Sequence, residues 1–284
     1  MCKIRNLGMR AGPWLRAGGE KRNRHPMPKR GIAILFCAAL LGVPAGDVRA
    51  EVNSRLQQEH FGMIVPGDYQ AGDNLHFSLT RDLSNHYDNV FLMHIAGQPE
   101  VYVLYADYAS LGGRVLKFDS GATAIQVAGW GNMTIYTDDK PDGLPAVRMG
   151  DAQPPSPTPV SLTQIQSAVN DEAEHLSYSR GVHVSYSADW NTLAGDPGQR
   201  ALAFDTLENA ARGIDRFTAD AAARAVFQQK LNAISIQTSD KPVIRVVGKT
   251  LIVTYNPHQG YVGRASSRAI SYAMGKMFGV PLPN

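Results

Sequence analysis

The chain has 284 residues with 28 basic and 25 acidic side chains, a formal net charge of +3, and only two cysteines, Cys2 and Cys37. Ten of the basic residues but only two of the acids fall in residues 1–50, so the remaining 234 residues hold 18 basic and 23 acidic side chains, a net of −5. That remainder lacks the basic balance that marks nucleic-acid binding, and it has no thiol for a disulfide, a thiolate nucleophile or a cysteine-bound zinc.

The stretch "MPKRGIAILFCAALLGVPAGDVRA", Met27 to Ala50, has a basic start at Lys29 and Arg30, an apolar run from Ile32 to Val43 and a small-residue end at Val48 and Ala50. This is the pattern of a signal peptide. The apolar run is shorter than the ~20 residues a spanning helix needs, so no permanent membrane anchor is expected. Phe36 precedes Cys37 where lipidation wants a small residue. The reading is a leader over residues 1–50, with its true start at Met27 and cleavage near Ala50. A periplasmic or secreted address follows, and a cysteine-free chain large enough to build a core suits it.

Residues 51–150 form a β-rich module. Strands are predicted at Leu75–Thr80, Val90–Ile95, Val101–Tyr105, Arg114–Phe118, Ala122–Val127 and Met133–Thr137, each dominated by β-branched and aromatic residues. The connections "DSGA" and "DKPDG" carry turn chemistry: Pro141 presets φ and Gly143 accepts a positive one. No long amphipathic helix interrupts the series, so an antiparallel meander or small barrel is expected. Residues 151–160 hold "DAQPPSPTP", four prolines in nine residues, which reads as a semi-rigid linker.

Residues 161–284 read as an α+β module. Ser161 and Gln164 form a capping box before a helix whose apolar stripe is Leu162, Ile165, Val169, Ala173 and Leu176, with Gly181 as its C-cap. A strand at "VHVSYS" follows. Two helices are expected at Asp205–Arg216 and Ala219–Lys230, the second N-capped by Thr218. Three strands come next, Ala233–Gln237, Val243–Val247 and Leu251–Tyr255, read as a three-stranded antiparallel meander. Its last hairpin turns at Gly248–Lys249. A final helix runs from near Ser266 to Gly279, which makes about four helices in an α+β fold.

Four stretches, "GQPEVYVLY", "GGRVLKFDSG", "GNMTIYTDDKPDGLPA" and "KTLIVTYNPHQGYVGRASSRAI", resemble in order and character a family of exported bacterial proteins whose domain has no assigned function. The resemblance spans roughly Gly67 to Met277. It implies an envelope address and carries over no catalytic residue.

The richest chemistry lies in Asn256–Ile270. A glycine-containing turn at a helix N-terminus offers free N–H groups and a positive dipole end. Gly260, Gly263, Arg264 and Arg268 are therefore candidates for holding an anion. The competing reading is that both glycines only shape the turn while Ser266 or Ser267 caps the helix. His258 and Ser267 are the weak catalytic candidates, with His175 or His183 as further bases. No G-x-S-x-G elbow or S-x-x-K pair supports them.

Asp171, Glu172 and His175 have helical spacing for a metal but lie opposite the apolar stripe, so a solvated face is preferred. Asp138, Asp139 and Asp142 do not fit a calcium loop, and a hairpin turn explains them. No metal or cofactor is expected. Tyr102 and Tyr105 differ by three and must face opposite sides of their strand, so a continuous aromatic platform is not expected from them. The functional expectation is an exported, non-enzymatic binding or envelope-associated protein whose partner is an envelope protein or a small ligand, and not a nucleic acid. The alternative is a periplasmic hydrolase with its site around Asn256–Ser267.

Overall fold

In this computed structural model the described residues are 62–83 and 88–281. The leader, its start at Met27 and its cleavage near Ala50 lie outside them. Eight antiparallel strands form a closed up-and-down barrel: β1 (Gly67–Ala71), β2 (Leu75–Arg81), β3 (Val90–Ile95), β4 (Val101–Tyr108), β5 (Arg114–Phe118), β6 (Thr123–Val127), β7 (Met133–Thr137) and β8 (Lys140–Gly150). Closure comes from β1 pairing with β8, with Gln70 opposite Val147 and Ala71 opposite Ala146. Eight strands enclose a space that side chains can fill. Here they do: Tyr69, Phe77, Leu79, Phe91, Met93, Leu104, Leu116, Ile125 and Ile135 make one buried cluster.

Two of these strands escape the sequence reading for identifiable reasons. β1, "GDYQA", has weak β-propensity outside its tyrosine. β8 contains Pro141 and Pro145, which normally argue against a sheet interior. Both prolines lie before Ala146, where pairing with β1 begins, so that half of β8 pairs with β7 alone and its missing donors cost nothing on the open side. The tight turn is Asp138–Asp139, not "DKPDG". Thr137 pairs with Lys140, and Gly143, at φ 84°, sits in a bulge where the register shifts.

After residues 151–160, which form no helix or strand, helix α1 (Leu162–Arg180) starts at the Ser161–Gln164 capping box. The Gln164 side chain accepts from the Ser161 N–H at 2.8 Å, and Gly181 closes the helix in the left-handed conformation. Then follow β9 (Ser185–Ala188), the short α2 (Trp190–Gly195), α3 (Arg200–Thr218), α4 (Ala221–Lys230), β10 (Ala233–Thr238), β11 (Ile244–Val247), β12 (Thr250–Tyr255) and α5 (Ser267–Phe278). α3 begins well before Asp205. Thr218 is its last residue, bonding back to the Ile214 carbonyl, and Asp220 is the cap of α4.

The expected three-stranded antiparallel meander is wrong. The second sheet is four-stranded and mixed, in the order β11-β12-β10-β9. β10 runs parallel to both β12 and β9, and only β11 is antiparallel to β12. Burial decides this. β12 is buried at Leu251 through Tyr255 and takes an interior place, whereas β11 alternates half-buried and exposed residues and suits an edge. The hairpin at Gly248–Lys249 is as expected, with Val247 opposite Thr250 and Gly248 at φ 60°.

The helices cover the sheet through Leu207, Ile214, Phe217, Phe227, Ile270 and Met274, which join Ile234, Ile236, Leu251 and Val253 in one core. Each of these large side chains stabilises by roughly 1.5–3 kcal/mol. Among the described residues no helix is long and apolar enough to cross a membrane.

Candidate functional site

Up-and-down connectivity puts alternate connections at the same end of a barrel. The β3–β4, β5–β6 and β7–β8 connections therefore share one rim, and each carries an acid: Glu100, Asp119 and Asp138, spaced 19 residues apart in the sequence. All three meet the start of α5. Barrel and α+β layer belong to one compact unit.

β12 ends at Tyr255, and the chain reaches α5 through Asn256–Gln259, a 3-10 turn (Gly260–Gly263) and an extended step to Ser266. Asn256 organises the first bend, accepting from the His258 N–H at 2.9 Å and donating its amide to the Asp240 carbonyl at 2.8 Å. A Cβ on Gly263 would sit 2.2 Å from the Asn256 carbonyl oxygen, so only glycine fits there. Tyr261 from this turn packs on Val90, Leu92, Val101 and Val103. That contact buries the outer face of β3 and β4, which is why β3 is apolar in both directions.

Ser266 is the N-cap of α5, accepting from Ala269 N–H. Its own N–H and hydroxyl both donate to the Asp119 carboxylate, the N–H at 2.7 Å. One residue on, the Ser267 N–H donates to Glu100 Oε1 at 2.8 Å and its hydroxyl to Glu100 Oε2 at 2.6 Å. Helix N-termini carry unpaired N–H groups and a positive dipole end, and here two barrel carboxylates satisfy both.

Four arginines surround these acids. Arg264, buried, donates Nε to Asp205 Oδ2 at 3.2 Å and Nη2 to the Val101 carbonyl at 3.0 Å. Arg268 stacks 4.4 Å over the Phe118 ring and pairs with Asp138, which Arg216 also holds. Arg212 approaches Glu100 at 3.8 Å and pairs with Glu208 at 3.0 Å.

The electrostatics follow from burial and partners. Desolvation pushes Asp119 above the ordinary carboxylate value, against the pull of Ser266 and Arg264. Burial acts the same way on Asp138, but its two guanidiniums outweigh it and hold that carboxyl below its usual value. Tyr102 is pushed up to about 12 by burial first and the Glu100 charge second, so it stays neutral.

The structure thus brings Arg264, Ser267 and Arg268 onto carboxylates of the chain itself, Asp205, Glu100 and Asp138, whereas Gly260 and Gly263 shape the turn that precedes them. His258 is exposed, and its imidazole makes no hydrogen bond to a described residue. His183 is occupied elsewhere, with Nδ1 2.9 Å from Ser177 Oγ, and His175 is exposed on α1. Asp171 is exposed beside it. Glu100, Asp119 and Asp138 are the residues that sequence reasoning missed or took for turn formers. The 19-residue spacing of acids across the meander is the signal that could have found them.

Beside the joint lies a cleft of about 380 Å³. Tyr105 and Ser120 of the barrel form one wall; Pro242, Val262, Tyr272 and Lys276 of the α+β layer form much of the other. Tyr105 faces outward while Tyr102 is buried in the barrel, as their spacing requires.

Fold and joint together define a solid eight-stranded barrel joined, at one rim and on the outer face of β3 and β4, to a helix-covered mixed sheet. The family model of a domain of unknown function, DUF4908, matches residues 51–274, and the chain belongs to that family. No curated protein and no solved structure matches it significantly.

Proposed function

We propose that this is an exported envelope protein that binds a small ligand non-enzymatically in the cleft between barrel and α+β layer. The observation that carries this reading is the engagement of Ser267: its N–H and hydroxyl are both bonded to Glu100, and the two residues are 1% and 2% exposed. A nucleophile must reach substrate and be served by a base, and a hydroxyl closed off against a buried carboxylate does neither. The cleft, by contrast, opens to solvent, with Tyr105 on one wall and Tyr272 and Lys276 on the other, the lysine ammonium 5.2 Å from the Tyr272 ring centroid.

The test is a thermal-shift screen of the full chain over sugars, nucleotides, metals and peptidoglycan fragments. A ligand at 100 times its Kd should add about 2.7 kcal/mol to stability. Lys276→Ala or Tyr272→Ala should abolish the shift while leaving the unliganded melting temperature in place. A panel-wide absence of shifts would overturn the small-ligand reading. Export is tested separately by N-terminal sequencing of protein from a periplasmic fraction, where a first residue at Glu51 is expected and an intact leader would refute it.

The competing hydrolase at Asn256–Ser267 draws on the 2.6 Å contact between Ser267 Oγ and Glu100. It requires Ser267→Ala to abolish turnover of an ester or amide panel at unchanged stability. The binding reading requires that variant to lose stability instead.

A further inference from the structure

The cleft beside the joint is lined by one acid and two bases, Asp119, Arg264 and Lys276, and they differ in what they can offer a ligand. Both carboxylate oxygens of Asp119 accept from Ser266, one from its N–H and one from its hydroxyl. The Arg264 side chain is 2% exposed, with Nε donated to Asp205 and Nη2 to the Val101 carbonyl. These groups hold the joint together. Lys276 is exposed instead and rests beside the Tyr272 ring. Among the described residues no carboxylate lies within ion-pair distance of its ammonium.

The remaining lining is mostly apolar. Ala269 and Ala273 lie one turn apart on α5 and continue the line of Ala265, with Pro242, Ile244 and Val262 around them. Side chains this short leave space that larger ones would fill. The volume of about 380 Å³ is near the lower end of the ~300–1,000 Å³ of small-molecule sites. Tyr105 and Tyr272 stand on its two walls, 36% and 42% exposed.

This chemistry selects among small ligands. A sugar needs several hydrogen-bonding partners, and the buried ones here already bond to the chain. A long acyl chain needs an extended apolar channel, and this space is short and opens to solvent. A compact ring suits two tyrosines, since aromatic rings favour offset or edge contacts with one another. Charge sets the orientation. Burial raises the Tyr105 pKa, and the charges of Asp119 and Asp82, both barrel residues, add to it. That wall disfavours another anion, whereas Lys276 on the facing wall attracts one.

We propose that the ligand of this cleft is a ring-bearing carboxylate, with its apolar ring between Tyr105 and Tyr272 over Ala269 and Ala273, and its carboxylate on the Lys276 ammonium. The inference rests on the small-ligand reading of the cleft and specifies its chemical class.

The experiment adds naphthoate, naphthamide, glucuronate and octanoate to the thermal-shift panel and measures Kd by calorimetry for the full chain, Lys276→Gln and Ala273→Leu. Naphthoate should bind wild type at least tenfold more tightly than each of the others, a gap of about 1.4 kcal/mol. Lys276→Gln keeps the stem of the side chain without its charge and should close the gap between naphthoate and naphthamide. Ala273→Leu fills the space and should weaken both at least tenfold, with a cooperative melting transition showing that it is folded.

Equal affinity for naphthoate and naphthamide, an undiminished gap in Lys276→Gln, or tighter binding of glucuronate or octanoate overturns the proposed class. The cleft reading survives any of these outcomes if Ala273→Leu weakens whatever binds. Silence for naphthoate overturns the class too, and silence across the whole panel removes the cleft reading with it. Naphthoate binding unchanged in Ala273→Leu lies elsewhere on the protein and overturns the proposal.

Discussion

Glu100 shows how a single side chain can set the character of a joint. Its carboxylate accepts from the Ser267 N–H and hydroxyl and lies near Arg212. Glu100→Gln keeps the shape but not the charge, and it should cost about 1.5–3 kcal/mol, the range for hydrogen bonds to charged groups. Urea unfolding of Glu100→Gln, Ser267→Ala and the double variant should reveal a coupling of about 1 kcal/mol or more. Strict additivity would refute the link.

Asp119 and Asp138 should respond to pH in opposite directions. Asp119, its pKa raised by burial, binds its proton more tightly folded than unfolded. Its contribution to stability therefore falls as pH rises from the ordinary 3.8 through the raised value. Asp138 is lowered by Arg216 and Arg268 despite burial, so its contribution is present above 3.8 and fades as pH falls through the lowered value. Asp138→Asn should thus be most damaging near neutrality and harmless in acid, whereas Asp119→Asn should look worse as the pH drops. Urea midpoints from pH 7 to pH 3 check this, and parallel pH profiles for the two variants would contradict it. Asp119 and Asp138 were hidden because each sits in a turn where its residue type already has a local explanation, and Glu100, in the irregular step before β4, belongs to no local motif.

Elements were legible in proportion to how local their causes are. β3, β5 and β7 fall where runs of β-branched and aromatic residues put them, and α1 begins and ends at its capping residues. β8 was hidden by prolines that are harmless only because the barrel closes after them. The segment leading into α5 follows the same logic: a G-x-x-G suggestive of anion binding turns out to serve the backbone. The Cβ of Gly263→Ala would meet the Asn256 carbonyl at 2.2 Å, and backbone cannot yield as a flexible side chain does. That variant should lose about 2 kcal/mol or more, as overpacked sites do. An unchanged urea midpoint would show that the turn can relax. The N–H groups at that helix terminus meet two carboxylates of the chain itself, Asp119 and Glu100. What sequence alone left open was that the anions arrive from the barrel.

The whole molecule behaves as one unit only if the joint holds. Tyr261 in its apolar seat and the Glu100, Asp119 and Asp138 contacts tie barrel to α+β layer. A single calorimetric transition is expected for wild type. Glu100→Gln combined with Asp138→Asn should lower the melting temperature, each kcal/mol costing roughly 2–4 °C at this size. Strong weakening should separate the transition into two. An unaltered single transition in the double variant would mean that apolar contact alone unites the parts.

Sequence by itself determined the features whose causes lie within a few residues: the β-rich half followed by an α+β half, most strands, the caps of α1 and α5 and the Gly248–Lys249 hairpin. It also carried the resemblance to a family without assigned function, which the match over residues 51–274 establishes. Only the tertiary structure decided that the β half closes through β1 and β8, that β12 separates β10 from β11, and that the Ser266–Ser267 terminus grips Glu100 and Asp119. The reason is physical. Caps and turns are settled by contacts between near neighbours, whereas strand order and charge partners are chosen by burial and closure summed over the whole chain.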